Sequence, residues 1–302
     1  MILKGQNLRI LIKEASPVPM HCVAMATSCT VTLTGNTEDA SHKDITGMAA
    51  TPTIVSKSWS IQVDSLNVSD AAAMLTQIKN GQPFTVMFDE TAGTNNQRPE
   101  QATFARTGQA FLSDVTFNFN NRENSAKSIQ LTGTGSLERV ATIESQVVNV
   151  NAYTKGQFVR LFLGSDNTAV PAKVIAAAMQ LSLHVSLTLE DATTKDTTGD
   201  WVIQEPTALS YDISTTALVR TTETISSAVQ AQALADVEDI YEASTPVRWQ
   251  IANTSGDNQR TKDTVIASGS CIITQLTING ANRQNADYTA QLTGYGELIV
   301  AA

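Results

Sequence analysis

Residues 121–137, NRENSAKSIQLTGTGSL, recur at 282–298 as NRQNADYTAQLTGYGEL, an offset of 161. Two further blocks repeat in the same order. Lys4-Gly5-Gln6 and Arg9 return as Lys155-Gly156-Gln157 and Arg160, and Glu38-Asp39-Ala40 with Lys43-Asp44 returns as Glu190-Asp191-Ala192 with Lys195-Asp196. Ordered blocks at a nearly constant spacing describe one unit written twice, and a period of this size is a domain rather than a solenoid repeat. The reading is therefore two domains, 1–148 and 149–302, each large enough to bury its own core. Any function has to explain why two are joined.

Within each unit the hydrophobic pattern has a period of two. Leu181-Ser-Leu-His-Val-Ser-Leu-Thr-Leu189 alternates without a break, and Cys29-Thr-Val-Thr-Leu-Thr34 alternates in the same phase, which predicts strands with one buried face. His184 falls on the polar face and reads as a solvated or interface side chain. Val115–Phe119 with Leu276–Ile278, and Ser128–Thr132 with Thr289–Thr293, predict two more matched strands. The polar runs 121–124 and 282–285 between them suit hairpin turns. One helix is predicted per unit. The first is capped near Ser69 or Asp70 and stops at Asn80-Gly81. The second starts after Ser226 or Ser227 and ends before Pro246. Strands 83–88 and 246–251 follow. The fold class is mainly β: two tandem copies of a β-sandwich or open barrel, each with one flanking α-helix. The junction, 144–155, is short and has no Gly/Ser character, so it holds the units in a fixed relation.

Charge removes some function classes. Residues 1–148 carry 11 Lys/Arg against 13 Asp/Glu (−2), residues 149–302 carry 9 against 16 (−7), and the sum is the chain's −9. Tight nucleic-acid binding needs clustered cations, so it is not expected. His21, Cys22 and Cys29 lack a fourth ligand and read as core or strand residues, with Cys22, Cys29 and Cys271 as reduced thiols. No metal or cofactor is expected. MILKGQNLR has no signal-peptide layout. The weakly charged stretches 15–37 and 174–189 are too interrupted or too short to span a bilayer, so no membrane partner is expected. The three histidines do not recur between units, and no G-x-S-x-G, phosphate loop or H-E-x-x-H is present. No catalytic residue is assigned, and the chain is not expected to be an enzyme.

The most distinctive polar feature is the segment Glu38, Asp39, Lys43, Asp44 with its repeat Glu190, Asp191, Lys195, Asp196. Three readings stand: a carboxylate metal or acid–base site, a solvated loop, or a contact loop between subunits. An EF-hand ligand order is absent and a hairpin tip is poorly placed to bury a carboxylate. Retention of the charges in both units while neighbouring positions drift favours the contact loop.

The alternating strand, the E-D-A-x-x-K-D-x-T-G loop and the aromatic two residues before isoleucine (Trp59 and Ile61; Tyr211 and Ile213) together resemble the major tail tube proteins of long, non-contractile phage tails. Lys195-Asp196-Thr197-Thr198-Gly199-Asp200-Trp201 is similar to that family's K-D-(S/T)-G-G-W loop, and the closing N-R-x-N and L-T-G-x-G pair is similar to its final hairpin. The N-terminal unit departs from the loop, with Ile45 and no Trp after Gly47. The resemblance implies the phage tail tube fold and a homo-oligomer of stacked rings in the virion tail, assembled in the bacterial cytoplasm. It also implies a tape measure protein and tail terminator or distal tail proteins as partners, and double-stranded DNA passing without specific binding. Six single-domain subunits make the usual ring, so a doubled chain implies three. Alternatives are another tail component of the same fold (terminator, distal hub or contractile inner tube) and a carbohydrate-binding or adhesive β-sandwich.

Overall fold

The computed structural model describes residues 8–13, 20–23, 26–44, 50–66, 70–90, 105–140, 146–147, 154–197, 199–220, 231–255 and 261–300. The N-terminal half runs β1 (Leu8–Lys13), β2 (Met20–Cys22), β3 (Ala26–Asp39), β4 (Pro52–Ser65), α1 (Ala71–Asn80), β5 (Phe84–Glu90), β6 (Arg106–Asn120) and β7 (Ala126–Arg139). After a short β8 (Gln146–Val147), the C-terminal half runs β9 (Val159–Leu163), β10 (Lys173–Ile175), β11 (Ala178–Asp191), β12 (Gln204–Leu218), β13 (Ala231–Gln232), α2 (Leu234–Ala243), β14 (Val247–Ser255), β15 (Thr261–Asn279) and β16 (Asp287–Val300). The chain is mainly β, with one α-helix in each half among the described residues.

Pairing in one half repeats in the other. β3–β4, β4–β7, β7–β6, β6–β5, β5–β1 and β1–β2 have the counterparts β11–β12, β12–β16, β16–β15, β15–β14, β14–β9 and β9–β10. The irregularities repeat too. A register shift lies between Leu112 and Asp114 in β6 and between Ile273 and Gln275 in β15. The hairpin turns place Arg122 and Arg283 in the left-handed region at φ 65° and 64°, a conformation that few side chains adopt without a reason. Each long strand, β6 or β15, serves two layers. Its first part pairs with β5 or β14, and its remainder continues into the sheet with β7 or β16. That is how one continuous sheet encloses a sandwich core.

The predicted strands have one buried face each. Leu181, Leu183, Val185 and Leu187 face the core, as do Val115, Phe117 and Phe119. The paired aromatics share a seat: a Cβ built on Gly133 would stand 2.2 Å from the Trp59 ring, and one built on Gly294 would stand 2.7 Å from the Tyr211 ring. Trp59 Nε1–H donates to the Gly135 carbonyl at 3.1 Å, and Tyr211 O–H donates to the Ser270 carbonyl at 2.6 Å. The glycine pairs therefore sit within β7 and β16, where the first of each pair makes room for an aromatic ring. The second, at φ +73° in both halves, bends the strand.

α1 ends where its sequence stops it: Gly81 is left-handed at φ 58° and its N–H donates to the Ile78 carbonyl. α2 starts at Leu234, with Asp236 accepting from the Ala233 N–H. The helix therefore starts later than the predicted start near Ser226 or Ser227, because Ala231–Gln232 pair in parallel with β10 as β13 and cannot be helical. Residues 221–230 lie outside the described residues, as does most of the 144–155 junction.

Candidate functional site

β6 of the N-terminal half pairs with β11 of the C-terminal half, so the sheet does not end at the domain boundary. The antiparallel register runs from Gln180 opposite Asn120 to Ser186 opposite Asp114. Leu183 lies opposite Phe117 and Val185 opposite Val115, and none of these four side chains is more than 1% exposed. On the other face His184 Nε2 meets Asp114 Oδ2 at 2.5 Å, with 41% and 37% of the two side chains exposed. The strand at 181–189 is predicted from its alternation, and His184 indeed sits at an interface, yet nothing local in the sequence names Asp114, 70 residues away, as its partner.

Two other elements brace the joint. α1 packs across it onto β11, β15 and β16, and Lys79 Nζ reaches Glu297 Oε1 at 2.6 Å. The segment after the C-terminal loop docks back on the N-terminal half. The Lys57 N–H donates to the Asp200 carbonyl (2.6 Å), Val202 N–H to the Lys57 carbonyl (2.9 Å), and Gly135 N–H to the Val202 carbonyl (2.8 Å). Gln204 N–H donates to Thr134 Oγ1 at 2.9 Å, and Lys57 Nζ pairs with Asp200 Oδ2 at 3.0 Å. Lys57 carries no motif, and Asp200 is the last charge of the quoted K-D-T-T-G-D-W stretch. The repeated loop signal thus stands beside the residues that make this contact.

The loop residues themselves stand outside the joint. Glu38, Asp39, Lys43 and Asp44 are exposed at the tip of the β3–β4 hairpin, and Glu190, Asp191, Lys195 and Asp196 are exposed at the tip of β11–β12. Asp39 Oδ1 accepts from Ser41 N–H at 2.9 Å, from Ser41 Oγ–H, and from Thr51 N–H at 3.2 Å. Asp191 Oδ1 accepts from Thr193 N–H at 2.8 Å. These bonds, the one with the Ser41 side chain first, hold Asp39 below its ordinary pKa, and the bonds with Thr193 do the same for Asp191. Ala40 N–H donates to the Thr51 carbonyl and Ala192 N–H to the Ile203 carbonyl, so both loops close in the same way. One aspartate in each loop therefore shapes it, leaving Glu38, Lys43, Asp44, Glu190, Lys195 and Asp196 facing outward.

The sheet's other face is a continuous polar surface across eight strands. From Thr30 on β3 it passes through Gln62, Gln130, Asp114 and Ser186 to Ser210, each opposite the next, then four residues along β12 to Ser214, which lies opposite Gln291, itself opposite Gln275 on β15. Its hydroxyls and amides bond to one another, as in Ser186 Oγ with Ser210 Oγ (2.8 Å) and Gln291 Nε2–H donating to Ser214 Oγ (3.0 Å). Among the described residues, the charges that alternate onto it include Asp64, Asp114, Asp212, Asp287 and His184, and its central rows carry no Lys or Arg. Among the described residues no helix is long and apolar enough to cross a membrane.

No protein-family model and no curated protein matches the chain. Solved structures similar to it include the tail of an empty gene transfer agent particle with C6 symmetry, at 16% identity over 48% of this chain and 95% of that one, TM-score 0.37. The virion of a native gene transfer agent particle aligns at 16% identity over 49% and 99%, TM-score 0.38. The SPP1 tail tube aligns at 15% over 47% and 76%, TM-score 0.36.

Proposed function

We propose that the chain is a structural subunit of a phage tail tube, in which three chains close a pseudo-hexameric ring and rings stack into a conduit for DNA. The observation that carries this reading is the β6–β11 joint. One half adds its strand to the edge of the other, head to tail, and among the described residues the outer partners of that joint, β3 at Thr30–Thr34 and β15 at Gln275–Asn279, have no strand on their other side. Head-to-tail contacts between like units generate either a closed ring or an open helix. A long free strand edge is also an unstable thing to leave in water. Fusing two units pre-forms half the contacts and raises the effective concentration of the rest.

The polar sheet face is the lining such a conduit needs. Lys and Arg would hold phosphates by releasing counterions and would stall the duplex, whereas a hydroxyl, amide and carboxylate surface lets double-stranded DNA pass without specific binding. On this reading the outward charges of the 38–44 and 190–196 loops meet the next ring. The tape measure protein occupies the lumen before DNA does, terminator and distal tail proteins close the ends, and the chain is no enzyme. Negative-stain microscopy of the purified chain tests the proposal. Hollow filaments built of three-chain rings are expected, and compact particles without a central hole would overturn it.

A further inference from the structure

The two free edges are not generic. Superposing the repeated registers gives each residue of the in-chain joint a counterpart on a free edge. Phe117 and Val115 of β6 correspond to Ile278 and Leu276 of β15, and Leu183 and Val185 of β11 correspond to Val31 and Leu33 of β3. The correspondence is fixed by the pairing itself: Asp114–Gln130 matches Gln275–Gln291, and Val185–Tyr211 matches Leu33–Trp59. In the joint, Phe117 is 1% exposed and Val185 0%, while at the free edges Ile278 is 50% exposed and Leu33 61%. α2 shows the same contrast. Ile78 of α1, which lies over the joint, is 0% exposed, whereas Tyr241, in the same place on α2, is 43% exposed. Large apolar side chains that are buried where a neighbouring half is present, and bare where it is absent, indicate the missing neighbour.

Resting on the ring reading above, we infer that the β15 edge at Gln275–Asn279 pairs with the β3 edge at Thr30–Thr34 of a second copy of this chain, in one register: Ile278 opposite Val31, Leu276 opposite Leu33 and Gly280 opposite Cys29. This inter-chain joint is the uncharged form of the in-chain one. Thr32 stands where the in-chain joint has His184, and Gln275 stands where it has Asp114, so the contact between chains is set by apolar packing and backbone pairing alone at these positions. Exact strand register matters because a slip of one residue would turn Val31 and Leu33 to the polar face.

Cys29 makes the register measurable with a single substitution. A Cβ built on Gly280 meets nothing within 4 Å, so Gly280→Cys adds a thiol without a clash. Cys271 is buried, which pushes its thiol up to about 12 and keeps it out of the reaction. Mild oxidation of assembled Gly280→Cys should give disulfide-linked dimers and trimers with nothing larger. Cys29→Ser in the same chain should abolish them. Asn279→Cys and Ala281→Cys should cross-link at least about tenfold less, because neighbouring strand residues point to opposite faces. In parallel, Ile278→Asp should leave the monomer's melting temperature unchanged and remove the rings. Rings visible by microscopy without the 29–280 cross-link, or with stronger linkage at 279 or 281, would overturn this joint and leave the tube reading standing. Absence of both rings and cross-links would overturn the two together.

Discussion

The in-chain joint and the edges of β3 and β15 share one strand register, the first with a neighbouring half against it and the second without. Around β6 and β11 the strands pair, Phe117 and Val185 are buried, and α1 lies packed across the seam. Around β3 and β15 the same backbone register, bulges and alternation are present, but Leu33 and Ile278 face water. Fully burying a side chain of this size is worth about 1.5–3 kcal/mol. The difference is that a neighbouring half covers one joint and not the other edges, and α2 likewise buries Val237 alone against four such residues on α1.

The largest expected effect comes from placing a charge at matched positions. Val185→Asp buries an unpaired carboxylate in the finished joint and should cost the monomer about 3–5 kcal/mol. Leu33→Asp, its counterpart, should stay within about 0.5 kcal/mol of the parent monomer while preventing assembly. Urea denaturation beside sedimentation analysis separates the two, and equal losses of monomer stability would break the comparison.

Overpacking probes whether the halves remain equivalent away from the joint. Gly133→Ala and Gly294→Ala each push a methyl into an aromatic ring, at an expected cost of about 1–3 kcal/mol. Gly133 should cost more, since its Cβ would approach Trp59 more closely than that of Gly294 approaches Tyr211. A reversed order in denaturant midpoints would mean that the Trp59 seat is the more yielding.

A smaller effect is expected at the His184–Asp114 hydrogen bond that only the in-chain joint has. Asp114→Asn should cost at most about 1 kcal/mol by urea denaturation, because both side chains are partly exposed and an amide oxygen can still accept from the His184 ring. A larger loss would make the pair a structural requirement of the joint.

The smallest effect is in the two hairpin loops. Asp39 and Asp191 have carboxyls held below the ordinary value of 3.8 by bonds with Ser41 and Thr193. A depressed folded-state pKa contributes stability above the ordinary value and loses it as pH falls beneath, so both loops should stay closed until the medium is more acidic than that. Carboxyl-carbon titration by NMR should find both midpoints below 3.8, and a midpoint at the ordinary value would remove the loop-shaping role.

What the sequence discloses follows from how local the cause is. The strand at 181–189 is legible because one face is buried and the other is not. α1 is legible because Gly81 supplies the left-handed stop after Ile78. The repeated aromatics and glycines are visible, but that Trp59 needs Gly133 for space is a contact across the sheet and leaves no local pattern. The loops at 38–44 and 190–196 stand out by their charge, while the adjoining Asp200–Gln204 makes its contacts largely through backbone groups, which any residue carries. The pairing of β6 with β11 joins segments about 70 residues apart, and only the finished sheet brings Asp114 to His184.

The most direct test of the central claim is a cryo-electron microscopy map of the purified assembly at a resolution that traces strands. The account predicts six sandwich units from three chains around a hole, with β15 of each chain lying against β3 of the next as β6 lies against β11. A map in which the edges of β3 and β15 face solvent, or in which chains meet through any other strands, would contradict it.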